Sequence, residues 1–147
     1  MGTGACDAVV PVLVVDDNPG FRRVVRALLA ELCPRFDVHM VATGETALRF
    51  LSRTPPFTRA PRPAFVVLDF RLPDMRAPDL LRRLRALPRL ETVPVLVLSA
   101  AGWQEDEARS MQAGAQRFLV KPGSADALSR AIDDFWRRDV QWRPASS

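Results

Sequence analysis

Five side chains of this sequence stand where short apolar runs end, and together they could do phosphorus chemistry. Val9–Val15 (VVPVLVV) stops at Asp16-Asp17, Phe65–Leu68 at Asp69, Val95–Leu98 at Ser99, and Phe118–Val120 at Lys121. Three carboxylates at one spot repel and raise one another's pKa, a conflict that a divalent cation removes. The donors are all oxygens, with no His or Cys in the pattern, which points to the hard cation Mg²⁺, with Mn²⁺ as the alternative. Such a site keeps open positions for a phosphate. Lysine offers a compact point charge to one phosphoryl oxygen, and the Ser99 hydroxyl can donate to another. A carboxylate facing the cation and Lys121 can act as nucleophile towards phosphorus, giving an aspartyl phosphate. The sequence contains neither GxxxxGK[ST] nor GxGxxG, so no glycine loop is available for nucleotide phosphates.

These residues meet only if the runs ending in them are parallel strands, because ligands of an open parallel sheet bind beyond the strands' carboxyl ends. The intervening patterns support that arrangement. Val9–Val15 reads as a buried strand. After Asn18-Pro19, apolar residues at Phe21, Val24, Val25, Leu28, Leu29 and Leu32 recur at helical spacing until Pro34. Val38–Val41 is a second strand, and a helix carrying Ala47, Leu48 and Leu51 follows Thr43-Gly44-Glu45. The proline-rich segment 52–63 (SRTPPFTRAPRP) reads as an irregular insertion within one domain. Phe65–Leu68 is a third strand, and Leu80, Leu81, Leu84 and Leu87 mark a third helix. A fourth strand at Val95–Leu98 precedes a weaker helix from about Gln104 to Ala113, with Gly114 as its stop. Phe118–Val120 is the fifth strand, and Ser124 N-caps a last helix with Leu128, Ala131, Ile132 and Phe135 inward. Five strand–helix units imply a doubly wound parallel sheet, and the expected strand order is 2-1-3-4-5.

Composition narrows the class. The chain has 147 residues, 48% apolar and 26% charged, which suits one soluble domain and excludes a disordered tail or a small disulfide scaffold. The domain is expected to span 1–147, with a core at about 8–140 and a short tail at 141–147. The net charge is +4, but the arginines are spread among acids, and the densest group, Arg82, Arg83 and Arg85, reads as a solvated helix face. No nucleic-acid contact is expected from it. Of the 21 Lys+Arg residues only Lys121 is lysine, at the one position that wants a compact ammonium. Cys6 and Cys33 read as free thiols of a reducing compartment. With no signal peptide or membrane-length apolar run in the sequence, a cytoplasmic location is expected.

Taken together, Asp16-Asp17-Asn18-Pro19, Asp69-Phe70-Arg71-Leu72-Pro73-Asp74-Met75, Ser99-Ala100 and Gly114 through Pro122 resemble the receiver domains of bacterial two-component response regulators. The resemblance implies a flavodoxin-like (βα)5 fold. It implies that Asp69 accepts a phosphoryl group from a histidine of a sensor kinase. Asp17 and Asp69 would bind Mg²⁺ through side chains, the Arg71 carbonyl would supply a third ligand, and Asp16 would act through metal-bound water. Lys121 would contact the phosphoryl group, with a cis bond to Pro122. Ser99 would swing towards the phosphoryl group while Phe118 turns inward, changing the face built by the fourth helix, fifth strand and fifth helix. The sequence departs from the family at Ala77, where Gly is usual, and at Gly123, where an apolar residue is common.

The ending Ala131–Trp136, with Trp142, and the insertion at 52–63 are similar to single-domain regulators paired with bacterial phytochromes. That likeness implies a light-sensing histidine kinase as partner and a homodimer through the same face. Phe135 and Trp136 are expected not to share the core, which leaves Phe135, Trp136 and Trp142 as interface candidates. His39 reads as structural. The chain is expected not to be an enzyme beyond assisting its own phosphorylation and dephosphorylation, and to signal through protein contacts. The contrasting reading is a constitutive protein- or DNA-associated module without the switch; the acidic pair, Asp69 and Lys121 favour the first.

Overall fold

The computed structural model describes residues 8–142. Cys6 and the tail beyond Trp142 lie outside them. Five strands alternate with five helices: β1 (Val10–Val15), α1 (Pro19–Leu32), β2 (Phe36–Val41), α2 (Gly44–Ser52), β3 (Phe65–Asp69), α3 (Ala77–Arg85), β4 (Val95–Ser99), α4 (Gln104–Gln112), β5 (Arg117–Val120) and α5 (Ala125–Asp139). The strands are parallel and ordered β2-β1-β3-β4-β5, as the alternation predicts. All five carboxyl ends therefore lie along one edge of the sheet.

The sheet is buried on both faces, which is why its strands read as continuous apolar runs. Side-chain alternation divides those runs between two cores. Leu13, Val15, Val66, Leu68, Val95 and Val97 face α2 and α3, where they meet Phe50, Leu80, Leu81 and Leu84. Val12, Val14, Phe65, Val67, Leu96 and Leu98 face α1 and α5, where they meet Val25, Leu29, Ile132 and Phe135. Each such side chain contributes about 1.5–3 kcal/mol by leaving water.

Helix starts follow local chemistry. Asn18 Oδ1 accepts from the Phe21 amide, Thr43 Oγ1 from Thr46 and Ser124 Oγ from Ala127. The proline-rich insertion folds into turns. Its Ala60 is buried, and Phe57 packs on Phe50 with ring centroids 5.5 Å apart.

Several sequence expectations change. Val24 is 41% exposed, although helical spacing put it with the inward residues of α1. Arg85 is not part of a solvated face. Its guanidinium donates to the carbonyls of Leu90 and Val93, at 2.9 and 2.7 Å, and also to Gly114. Burial pushes its pKa down. The aromatic pair at the end of α5 also differs. Phe135 is fully buried, while half-buried Trp136 meets Phe36 edge-on at 5.1 Å and Phe65 at 5.7 Å. Trp142 packs against the same core. Adjacent helical residues lie about 100° apart, so a wide apolar stripe can take both. Burial removes Phe135 from the interface candidates, while Trp136 and Trp142 keep part of their surface exposed.

Candidate functional site

The carboxyl edge of the sheet gathers the residues named from the sequence. Asp16 follows β1, Asp69 ends β3, Ser99 ends β4 and Lys121 follows β5. Ladder bonds continue past the strands and hold this edge in register. The Asp16 amide donates to the Val41 carbonyl at 3.1 Å, Phe70 to Leu98 at 2.8 Å and Lys121 to Ser99 at 2.7 Å.

Ligand oxygens of Asp16, Asp17 and Asp69 lie within 4.8 Å of one another. Asp16 is buried and Asp17 is exposed, so the cluster has a closed side and an open side. Lys121 Nζ lies 3.0 Å from Asp16 Oδ2 and 3.4 Å from Asp69 Oδ1. It also sits 4.1 Å from the centroid of the Phe21 ring, a cation–π contact. Phe21 thus joins the site; its helical spacing signalled only core packing. Asp16 is tied further by the Asn18 amide on Oδ1 at 2.8 Å, and its carbonyl accepts from Arg22 at 2.7 Å.

Burial pushes the Asp69 carboxyl above its ordinary pKa of 3.8, and the Asp16 charge pushes the same way against the pull of Lys121. One lysine therefore leaves the cluster short of positive charge. An all-oxygen donor set that holds one carboxylate at a raised pKa fits Mg²⁺ or Mn²⁺.

The loop after Asp69 is anchored on α2, a role the sequence reading did not assign. Asp74 accepts from the Gly44 and Glu45 amides, each at 2.9 Å, and so caps a helix thirty residues away. Desolvation raises the Asp74 pKa, but the backbone donors and the Arg83 charge together lower it more, and the carboxyl ends below its ordinary value. Met75 lies over Gly44, where an added Cβ would meet its sulfur. Arg71, exposed, bridges Arg76 across the same loop. Pro78 falls in the first turn of α3, where its missing N–H costs nothing, so the Ala77-Pro78 departure is absorbed by a normal helix start. Gly123 is exposed with open space around it.

Ser99 and Phe118, the two residues expected to switch, each have a defined placement. Ser99 Oγ donates to the Ala101 carbonyl at 2.7 Å. Phe118 is buried, its ring edge-on to Phe70 at 6.1 Å, so the inward placement expected to follow phosphorylation is the one already present. The expected cis bond is also absent: among the described residues Pro55–Pro56 is cis, and Lys121–Pro122 is trans. Trans is the lower-energy isomer of an X–Pro bond, and Lys121 reaches both carboxylates with it. His39 pairs with Asp37 at 2.9 Å and packs on Phe50, away from this edge.

This arrangement is that of a phosphoryl-accepting signalling unit. Residues 12–133 match the response regulator receiver domain, and the chain belongs to that family. It is 34% identical over 127 residues to the chemotaxis protein CheY-3 of Vibrio cholerae, covering 86% of this chain and 92% of that one. It is 34% identical over 124 residues to the two-component response regulator ORR1 of Oryza sativa, covering 83% of this chain; it spans 53% of that longer relative. The fold is similar to the phosphorylated cyanobacterial phytochrome response regulator RcpA, with TM-score 0.83, 25% identity and coverage of 91% and 98%. It is also similar to the receiver domain of the sensor histidine kinase PA1611 from Pseudomonas aeruginosa, whose structure has magnesium coordinated in its active-site cleft (TM-score 0.71, 32% identity, coverage 88% and 98%). Among the described residues no helix is long and apolar enough to cross a membrane.

Proposed function

We propose that Asp69 accepts a phosphoryl group from a histidine of a sensor kinase, a bacteriophytochrome kinase being the specific candidate. An Asp69 oxygen attacks phosphorus, the phosphorus–nitrogen bond breaks, and its electron pair leaves with the imidazole. Asp17 and Asp69 would hold Mg²⁺ or Mn²⁺ with the Arg71 carbonyl, and Asp16 would act through metal-bound water. When bound, the cation would supply positive charge to the phosphoryl oxygens. Lys121 adds its charge from the closed side and orients the group. Ser99 gives up its bond to Ala101 to donate to the phosphoryl group, with Phe118 behind it.

The observation that carries this reading is the three-carboxylate cluster with one lysine on its two inner members. The protein would act in the cytoplasm as a phosphorylated signal rather than as an enzyme on other substrates. Output would pass through α4, β5 and α5, with a homodimer on that face. Its exposed apolar side chains, Trp103, Met111 and Val120, join the interface candidates.

Acetyl phosphate with Mg²⁺, read by intact mass, tests the assignment. An adduct of about 80 Da is expected on the wild type and absent from Asp69→Asn. Equal labelling of the two, or none on the wild type, sinks it. Sedimentation with and without beryllofluoride then reads the dimer, which should be lost in a Trp103→Ser, Val120→Ser variant.

A further inference from the structure

Three arginines meet at the opposite edge of the sheet, far from the carboxylates. Arg53 ends α2, Arg62 precedes β3, and Arg89 lies between α3 and β4. Together they line a cavity of about 380 Å³, within the range of small-ligand sites. Leu51, Leu87 and Pro88 supply an apolar wall. No carboxylate lines it, and among the described residues none of the three arginines is ion-paired.

Arginine is common in this chain, so the residue type alone says nothing. The placement does. Arg53 and Arg89 have φ of 58° and 71° and are the only non-glycine residues with positive φ among those described. Glycine is the residue these two backbone positions favour. Both exposed residues line the same cavity. Arg53 takes its positive φ as the left-handed C-cap of α2, its amide donating to the Phe50 carbonyl at 3.2 Å, and Arg85 rather than Arg89 takes the loop carbonyls of Leu90 and Val93. Arg53 donates through Nε to Ala60 at 2.9 Å, and Arg62 through Nε to Arg89 at 2.6 Å. Those bonds orient the two guanidinium groups while leaving their terminal nitrogens, which match phosphate oxygens in pairs.

We propose that this cavity binds a nucleoside diphosphate, with the arginine forks on its two phosphates and the leucine–proline wall against the base. Arginine forks replace the glycine loop that the sequence lacks. The site does not depend on phosphorylation at Asp69, so the two readings fail separately.

Titration calorimetry on the full chain in EDTA, which keeps divalent cations from the carboxylate edge, tests the proposal with ADP and pyrophosphate. Saturable ADP binding is expected, tighter than pyrophosphate. It should weaken at least tenfold in Arg53→Gly, Arg62→Ala, Arg89→Gly, whose glycines suit the backbone. It should persist in Arg82→Ala, Arg109→Ala, Arg137→Ala, which removes the same charge from exposed positions elsewhere. Arg62→Gln alone should weaken binding measurably if the triple variant does not fold. Absence of saturable ADP binding, or equal loss in both triple variants, overturns the site. Equal affinity for ADP and pyrophosphate overturns the nucleoside assignment.

Discussion

Helices α3 and α4 are both nine residues long and lie side by side, but they are held in different ways. The α3 helix buries Ala77, Pro78, Leu80, Leu81 and Leu84, and Arg85 ties its end to three carbonyls. The α4 helix buries only Ser110, whose hydroxyl has no hydrogen-bond partner. Its stability is local. Glu105, Asp106 and Glu107 occupy the first turn, where the helix dipole favours acids, and Arg109 pairs with Glu105 at 2.6 Å. Hydrophobic burial thus fixes one helix, and exposed electrostatics shape the other. The loosely held helix follows Ser99, so a rearrangement there meets little packing resistance. The tightly held one follows the Asp69 loop, which Asp74 and Met75 also pin to α2.

The widest contrast is expected in native-state hydrogen exchange. Amides of α3 should exchange only with global unfolding, on the order of 5–15 kcal/mol for a domain, and those of α4 through much smaller local openings. Equal protection of the two helices would remove the distinction. Next is side-chain truncation, followed by urea unfolding. Leu81→Ala should cost about 2–5 kcal/mol, whereas Met111→Ala on α4 should stay within about 0.5 kcal/mol. Ser110→Ala should stabilise by about 1 kcal/mol, because it removes a buried hydroxyl without a partner. A loss of stability there would mean that the hydroxyl has a use in the fold. The smallest effect is Glu105→Gln, at about 0.3–0.5 kcal/mol, and it should vanish at high salt if α4 is held by exposed charge.

The two helices also differ in how well the sequence shows them. Leucines at 80, 81 and 84 announce α3 by period alone, whereas α4 reads as weak because it lacks an apolar stripe. The strand-end residues were equally legible, since each follows an apolar run. Asp74, Phe21 and Arg85 were not. Their roles depend on Gly44 and Glu45, on Lys121, and on Gly114, all distant in sequence. The aromatic end of α5 was only partly legible for a related reason. Periodicity says which way Phe135 and Trp136 point relative to each other, but not that Phe36 and Phe65 wait beneath Trp136.

By itself the sequence determined the order of strands and helices and which chemical groups stand at the strand ends. Both follow from side-chain period and local capping, which involve neighbours along the chain. The tertiary structure alone decided that Lys121 bridges Asp16 and Asp69, that its bond to Pro122 is trans, and that Trp136 covers its own domain. It also put Arg53, Arg62 and Arg89 around one cavity. Those outcomes depend on which distant surfaces pack together, and close packing settles that over the whole fold at once.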